Sequence, residues 1–332
     1  MGDVILTTPV LSILRNHFPQ AEIHFCTKSS YADLIRFNPN VNELIEVPDK
    51  LTFGKLRELR KLLSSARYDL VVDLHHNLRA FYLRLFLAFG SNIIKFRKYS
   101  FRKFLLVNFK INLMKKLPPI AVRYAMTLEK VGISISGEQK ELLHPEIFTA
   151  GQTTEELRGI TNDNKIPSDR KLICIIPSSK HYTKTYPPAY FAQLINKFDM
   201  DKYCILLVGK GDDKIYIDFI KSFLNTSAID LCDRLNLLEL TELMKMCSLV
   251  ISGDTGPMHI AEAVDVPLIV IAGSSVREFG FYPQSKKAVV LENNGLNCRP
   301  CTHIGRDTCP RRHFRCMMDI LPDIIYQKSA LI

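Results

Sequence analysis

Short runs of β-branched and apolar residues alternate with stretches whose apolar positions recur every three or four residues, along nearly the whole chain. The first pattern predicts strands at 21–27, 43–47 and 69–75, then at 172–176, 203–208, 228–231, 249–252 and 268–272. The second predicts helices at 9–18, 31–37 and 51–66, then at 188–197, 213–223, 237–246 and 257–264. Thr8-Pro9 reads as a helix start, a capping hydroxyl followed by a proline whose missing N–H costs nothing there. Asn236 with Glu239 three residues on reads as a capping box. Strand–helix alternation in both halves predicts two doubly wound parallel sheets of the α/β class. The expected domains are 1–160 and 161–332, with the polar stretch 161–170 as the linker. Two such domains would face a cleft lined by the C-terminal ends of their strands.

Composition narrows the class. The chain has 332 residues, 47% of them hydrophobic and 23% charged, enough for two domains with cores and unlike a disordered chain. No apolar stretch approaches the ~18–20 residues of a membrane span. Met1-Gly2-Asp3 lacks the basic region of a secretory signal, and Leu6 stands where myristoylation wants Ser or Thr. The expectation is a cytoplasmic protein whose nine cysteines are reduced thiols. A formal charge of +10 favours polyanionic partners such as nucleic acid, an anionic membrane surface or a phosphorylated substrate. From Arg84 to Lys130 eleven basic residues face one acid, Glu129, interleaved with Phe, Leu, Ile and Tyr. Two readings stand side by side: a solvated helical face, or a basic amphipathic surface for anionic headgroups.

Four segments could carry chemistry. In Ser252-Gly253-Asp254-Thr255-Gly256-Pro257-Met258-His259 an apolar strand ends in a carboxylate and turns into a helix whose free N–H groups suit an anion. The plainer alternative is a strand-to-helix turn with His259 in the core. Pro177-Ser178-Ser179-Lys180-His181-Tyr182-Thr183-Lys184 follows a strand with hydroxyls and lysines that could hold a diphosphate. Val208-Gly209-Lys210-Gly211-Asp212-Asp213-Lys214 begins like a dinucleotide fingerprint, with Asp230 near the distance of a ribose-binding acid. Lys214 in place of the third glycine weakens that reading. Cys298, Cys301, Cys309 and Cys316 offer thiolates for a structural zinc, although the second Cys-x2-Cys pair is lacking. Asp199-Met200-Asp201 is a literal D-x-D, but it falls at the wrong end of a strand for a ligand and reads as a surface loop.

Taken together, Gly2-Asp3-Val4-Ile5-Leu6-Thr7-Thr8-Pro9, 68–74, Lys184-Thr185-Tyr186-Pro187, Asp254-Thr255-Gly256-Pro257-Met258-His259 and 298–317 resemble glycosyltransferase family 9. Its best-known members are ADP-heptose:lipopolysaccharide heptosyltransferases. The resemblance implies the GT-B fold, two Rossmann-like domains with the sugar nucleotide mostly on the C-terminal one. It implies an inverting, metal-independent transfer of a heptose from an ADP-sugar to a lipopolysaccharide-core acceptor. No cofactor or metal is implied, and no nucleic acid. Asp3 would be the general base, and Lys184 with Thr255 and Gly256 would stabilise the departing diphosphate. Ser179 would offer a hydroxyl to phosphate, Asp213 would bind ribose, and Leu235 would touch the base. Asp254 and His259 would contact sugar and phosphate. The basic segment would meet phosphorylated glycolipid at the cytoplasmic face of the membrane, as in a peripheral protein. The resemblance departs at the beginning, where family members have a strand before Gly-Asp and Met1 abuts it here. The expectation is a first sheet without its central strand, or a start codon assigned too far downstream. A different nucleotide sugar, a GT-B-fold sugar-nucleotide epimerase and a non-catalytic nucleotide-sugar binder stay open as alternatives.

Overall fold

The computed structural model describes residues 1–50, 52–75, 77–84, 87 and 91–331. The chain clusters into two compact units: Met1, 3–100 and 117–148 form the first, and Gly2, 101–116 and 149–332 the second. Leu51, the expected start of a helix, and Ile332, the expected end of the second domain, lie outside the described residues. So do parts of the 84–130 segment.

In the first unit, β1 (His24–Lys28) pairs in parallel with β2 (Glu43–Val47), and β3 (Leu70–Asp73) with β4 (Asn92–Lys95). Among the described residues these are two separate two-stranded ladders rather than one continuous sheet. Residues Gly2–Ile5 are helical, and helix Thr8–His17 follows. Apolar side chains unite β2, β3, β4 and helix Phe53–Ser65: Ile45, Val47, Leu59, Leu63 and Leu87 are buried together with Val71 and Ile93 against them. Thr8 does not cap its helix as expected. Its hydroxyl donates to Ile5 O at 2.8 Å and accepts from the Glu146 amide at 2.9 Å, so it ties the helix to a later segment. The expected helix at 31–37 is a 3-10 turn, Ser29–Leu34.

The second unit carries one six-stranded parallel sheet: β5 (Lys171–Ile176), β6 (Tyr203–Leu207), β7 (Ile229–Asp230), β8 (Cys247–Gly253), β9 (Leu268–Ala272) and β10 (Ala288–Glu292). Its order is β10-β9-β8-β5-β6-β7. The chain starts at the middle, builds outward through β6 and β7, then crosses back to β8. That reversal makes the C-terminal ends of β5 and β8 a topological switch point, where open α/β sheets bind ligands. The strands are near-continuous apolar runs because helices cover both faces; Ile173, Ile175, Ile205, Leu207, Ile251, Ile269 and Ile271 all lie in one buried cluster. The expected capping box is present at Asn236, whose carbonyl oxygen accepts the Leu238 and Glu239 amides at 2.9 Å while Glu239 accepts the Asn236 amide. Helix Gly151–Asp163 packs against helix Leu237–Met246, so the stretch expected as a linker from 161 begins inside a helix. No helix among the described residues is long and apolar enough to cross a membrane.

Candidate functional site

The loops leaving β5 and β8 meet at the switch point. Lys184 Nζ lies 2.8 Å from Asp254 Oδ2, with both side chains largely buried. Ser275 Oγ, from the loop after β9, donates to the same carboxylate oxygen at 2.5 Å. Burial by itself would raise the Asp254 carboxyl. The Lys184 charge, the Lys184 and Ser275 hydrogen bonds and the nearby His259 outweigh it and hold the group below the usual carboxylate range. A lysine head group is thereby fixed beside the start of helix Gly256–Ala263. Thr255 is its N-cap in extended conformation and makes no side-chain capping bond, and Pro257 has no N–H to satisfy. The backbone donors there, the positive end of the helix and an anchored ammonium form an arrangement suited to phosphate.

Glycine is needed where these segments touch. A Cβ on Gly253 would sit 2.7 Å from Lys184 O, and one on Gly273 would sit 2.6 Å from Thr183 O. The lysine loop therefore lies directly on the ends of β8 and β9.

The other sequence candidates are placed less simply. The Ser179 amide donates to Thr185 Oγ1 at 3.1 Å, and it is the neighbouring Ser178 whose hydroxyl donates to Asp213 Oδ1. Asp213 Oδ2 accepts the Lys210 amide at 2.8 Å, which folds the Gly209–Gly211 turn back on the helix start. Leu235 is half-buried just after β7. His259 is 3% exposed, with Nδ1 3.3 Å from Glu262 Oε2. The imidazole is packed inside, on the helix that starts at the proposed phosphate position. Asp230, the candidate ribose acid of a dehydrogenase, is held by Lys214 at 2.7 Å and Lys221 at 3.5 Å, and its pairing removes the motive for that reading. Asp199 and Asp201 stand before β6, as a surface loop should, with Asp199 paired to Lys202.

Asp3, in the first unit, is exposed and accepts the Tyr124 hydroxyl at 2.8 Å. Burial, and then the Asp3 charge, pushes the Tyr124 phenol far above its ordinary value, so it stays a neutral donor. Phe96 packs edge-on against the same ring at 4.7 Å. A carboxylate oriented by a neutral, immobile donor keeps one oxygen for other work.

Sequence reasoning missed three supporting residues. Tyr124 is one, and no motif announces it. Ser275 and Arg299 are the others. Arg299 is nearly buried and donates to Gly273 O at 2.7 Å, to Ser275 O at 2.8 Å and to Glu292 Oε2 at 2.8 Å. It fixes the loop that presents Ser275 to Asp254. The segment that carries Arg299 also grips the lysine loop: the Thr183 amide donates to Arg306 O at 3.0 Å, and the Arg306 amide to Thr183 Oγ1 at 2.9 Å.

The nine cysteines are free. Cys298 Sγ lies 3.8 Å from His313 Nε2. Among the described residues, the grouping of His, Cys, Asp and Glu whose donor atoms lie close enough for a metal is Glu22, His24 and Glu43, not the four C-terminal thiols.

Comparison with known proteins completes the picture. The model of glycosyltransferase family 9 (heptosyltransferase) matches residues 56–310. The chain is 26% identical over 304 residues to lipopolysaccharide heptosyltransferase 2 of Salmonella typhimurium, covering 88% of this chain and 85% of that protein. A family 9 glycosyl transferase from Veillonella parvula superposes with a TM-score of 0.79 at 23% identity, over 100% of this chain and 93% of that one. The ADP-heptose LPS heptosyltransferase II structure from Escherichia coli gives 0.77 at 23% identity, over 99% and 95%.

Proposed function

Because the chain belongs to glycosyltransferase family 9 and has its GT-B fold, we propose that this glycosyltransferase moves a heptose from ADP-heptose to a lipopolysaccharide-core acceptor with inversion at the anomeric carbon. The observation that carries the donor half of this reading is the Lys184–Asp254 pair at the start of helix Gly256–Ala263. The names of the relatives supply the sugar and the acceptor class.

In the proposed reaction an acceptor hydroxyl attacks the anomeric carbon from the face opposite the nucleotide. Its oxygen forms the new bond to that carbon while the bond to the β-phosphate oxygen breaks, and the electron pair leaves with ADP. Asp3 takes the hydroxyl proton, and the Tyr124 hydrogen bond holds the carboxylate in position. Charge grows on the departing phosphate, where Lys184 and the backbone donors at Thr255 and Gly256 receive it. That cationic contribution is the work a metal ion does in other transferases, so the proposed chemistry needs none. Ser179 hydrogen-bonds the diphosphate, Asp213 takes the ribose by exchanging its Ser178 partner for ligand hydroxyls, and Leu235 packs on the base. Asp254 holds Lys184 and meets the sugar. The acceptor is a phosphorylated glycolipid, reached from the cytoplasmic face of its membrane.

The direct test is mass spectrometry of the pure protein incubated with ADP-heptose and a Kdo-bearing acceptor. The reading expects a heptosylated acceptor with ADP in equal amount. Isomerised donor without acceptor consumption would point to an epimerase, and bound but unchanged donor to a binding protein.

A further inference from the structure

Helix Ser100–Phe109 and the turn after it present an unusual surface within the second unit. Phe101 is 70% exposed, Phe104 52%, Phe109 62%, Ile111 49% and Leu113 51%, five large apolar side chains in thirteen residues. Phe101 and Phe104 stand one helical turn apart on the same face, and the Phe104 and Phe109 rings approach to 5.8 Å. Single exposed apolar residues are ordinary, whereas a contiguous group marks a contact surface.

The backing of this surface is fixed rather than loose. Leu106 and Met114 are buried beneath it. Lys110 Nζ donates to Cys298 O at 3.2 Å and to Pro300 O at 2.6 Å, and Asn112 donates to Glu278 Oε1 at 2.7 Å. The phenylalanines are therefore held outward by a bolted platform.

Charge identifies what the surface meets. No acidic residue occurs between Asp73 and Glu129. Lys115 and Lys116 are exposed at the end of the apolar group, and Arg102 and Lys103 sit on the helix itself. Of the wider basic segment, Arg84 is spent on Asp73 at 2.9 Å and Arg123 is buried. Lys95, Arg97 and Lys130 are exposed as well, but they belong to the first unit and not to this surface. Glu278, bonded to Asn112, brings a carboxylate to this surface, but Arg102, Lys103, Lys115 and Lys116 outnumber it. Exposed aromatic rings amid an excess of cations suit the boundary of an anionic bilayer, with rings at the acyl edge and cationic groups at the phosphates. A protein partner burying the same rings would have to bring acidic groups of its own.

We propose that residues 101–116 are an interfacial anchor that seats this protein on anionic lipid. The inference gives the proposed membrane-face reaction its contact surface, and it rests on that reading for its biological sense.

The chain contains no tryptophan, so a Phe104→Trp variant reports from this surface alone. Its emission is expected to shift to the blue, and to be quenched by lipid brominated on the acyl chain, when phosphatidylcholine vesicles containing phosphatidylglycerol are added. A Phe219→Trp variant, elsewhere on the same unit, is expected to stay unchanged. In sedimentation with those vesicles, Lys115→Gln and Lys116→Gln should each weaken partition about fivefold. Phe101→Ser with Phe104→Ser should abolish it with thermal unfolding unchanged. Equal partition to vesicles without the anionic lipid would overturn the proposal. So would emission from the Phe104→Trp variant that moves with protein concentration and not with lipid. These vesicles hold neither donor nor acceptor, so a failure here leaves the transfer reaction standing, and a failure of transfer leaves this result standing.

Discussion

At the scale of single residues, Asp254 is the most consequential side chain in the second unit. It keeps a charge at 7% exposure because Lys184 and Ser275 both address it. Removing one member of a buried pair strands the other, at about 3 kcal/mol or more. Asp254→Asn is therefore expected to lower stability by about 3 kcal/mol in urea unfolding. The pH dependence has a definite sign. Because its folded pKa is depressed, Asp254 contributes stability that is fully present above its unfolded value, about 3.9, and is lost as pH falls through the lower folded value. The stability difference between the native chain and Asp254→Asn should accordingly be constant near neutrality and shrink below about pH 4. A difference that persists at pH 2 would assign the residue a purely steric role. Ser275 and Arg299 could not be found from sequence, because each reaches Asp254 only through tertiary contacts between loops that carry no motif. Lys184 and Asp254 were legible as candidates, since each lies in a short segment that leaves a strand with charged side chains beside a loop or helix start.

At the scale of elements, periodicity succeeds where a segment is long and buried on a known face. Strands β2 and β9 and helix Leu237–Met246 occupy their expected ranges. Strands β4 and β10 escaped it for a physical reason. Asn92–Lys95 holds only two apolar residues between polar ends, and Ala288–Glu292 is a half-buried edge strand next to two lysines. The contact between elements is also testable. The lysine loop lies on β8 through Gly253, where an added Cβ would meet a backbone oxygen that cannot rotate away. Gly253→Ala is expected to cost about 2 kcal/mol and to raise the KM for donor more than it lowers kcat. A kcat loss with an unchanged KM would place the loop's influence on the chemical step instead.

At the scale of the whole molecule, the second unit has a six-stranded parallel sheet with its switch point at the C-terminal ends of β5 and β8. The first is held by helices and by the cluster around Ile45, Leu59 and Leu63. The fold class was legible because strand–helix alternation leaves few alternatives. Ligand linkage offers a global measurement. ADP at about 100 times its dissociation constant should add about 2.7 kcal/mol, or roughly 5–10 °C in Tm. Lys184→Ala should lose most of that shift, while a full shift in the variant would remove Lys184 from the site.

The proposed reaction turns on Asp3. Transfer from ADP-heptose to acceptor by Asp3→Asn, followed in a single turnover at saturating donor, is the most direct test. The proposed role predicts a rate lowered on the order of 10³-fold with ADP affinity within about twofold of the native value, since the uncharged amide cannot accept the proton and the donor pocket is untouched. A variant that transfers heptose at close to the native rate would contradict it.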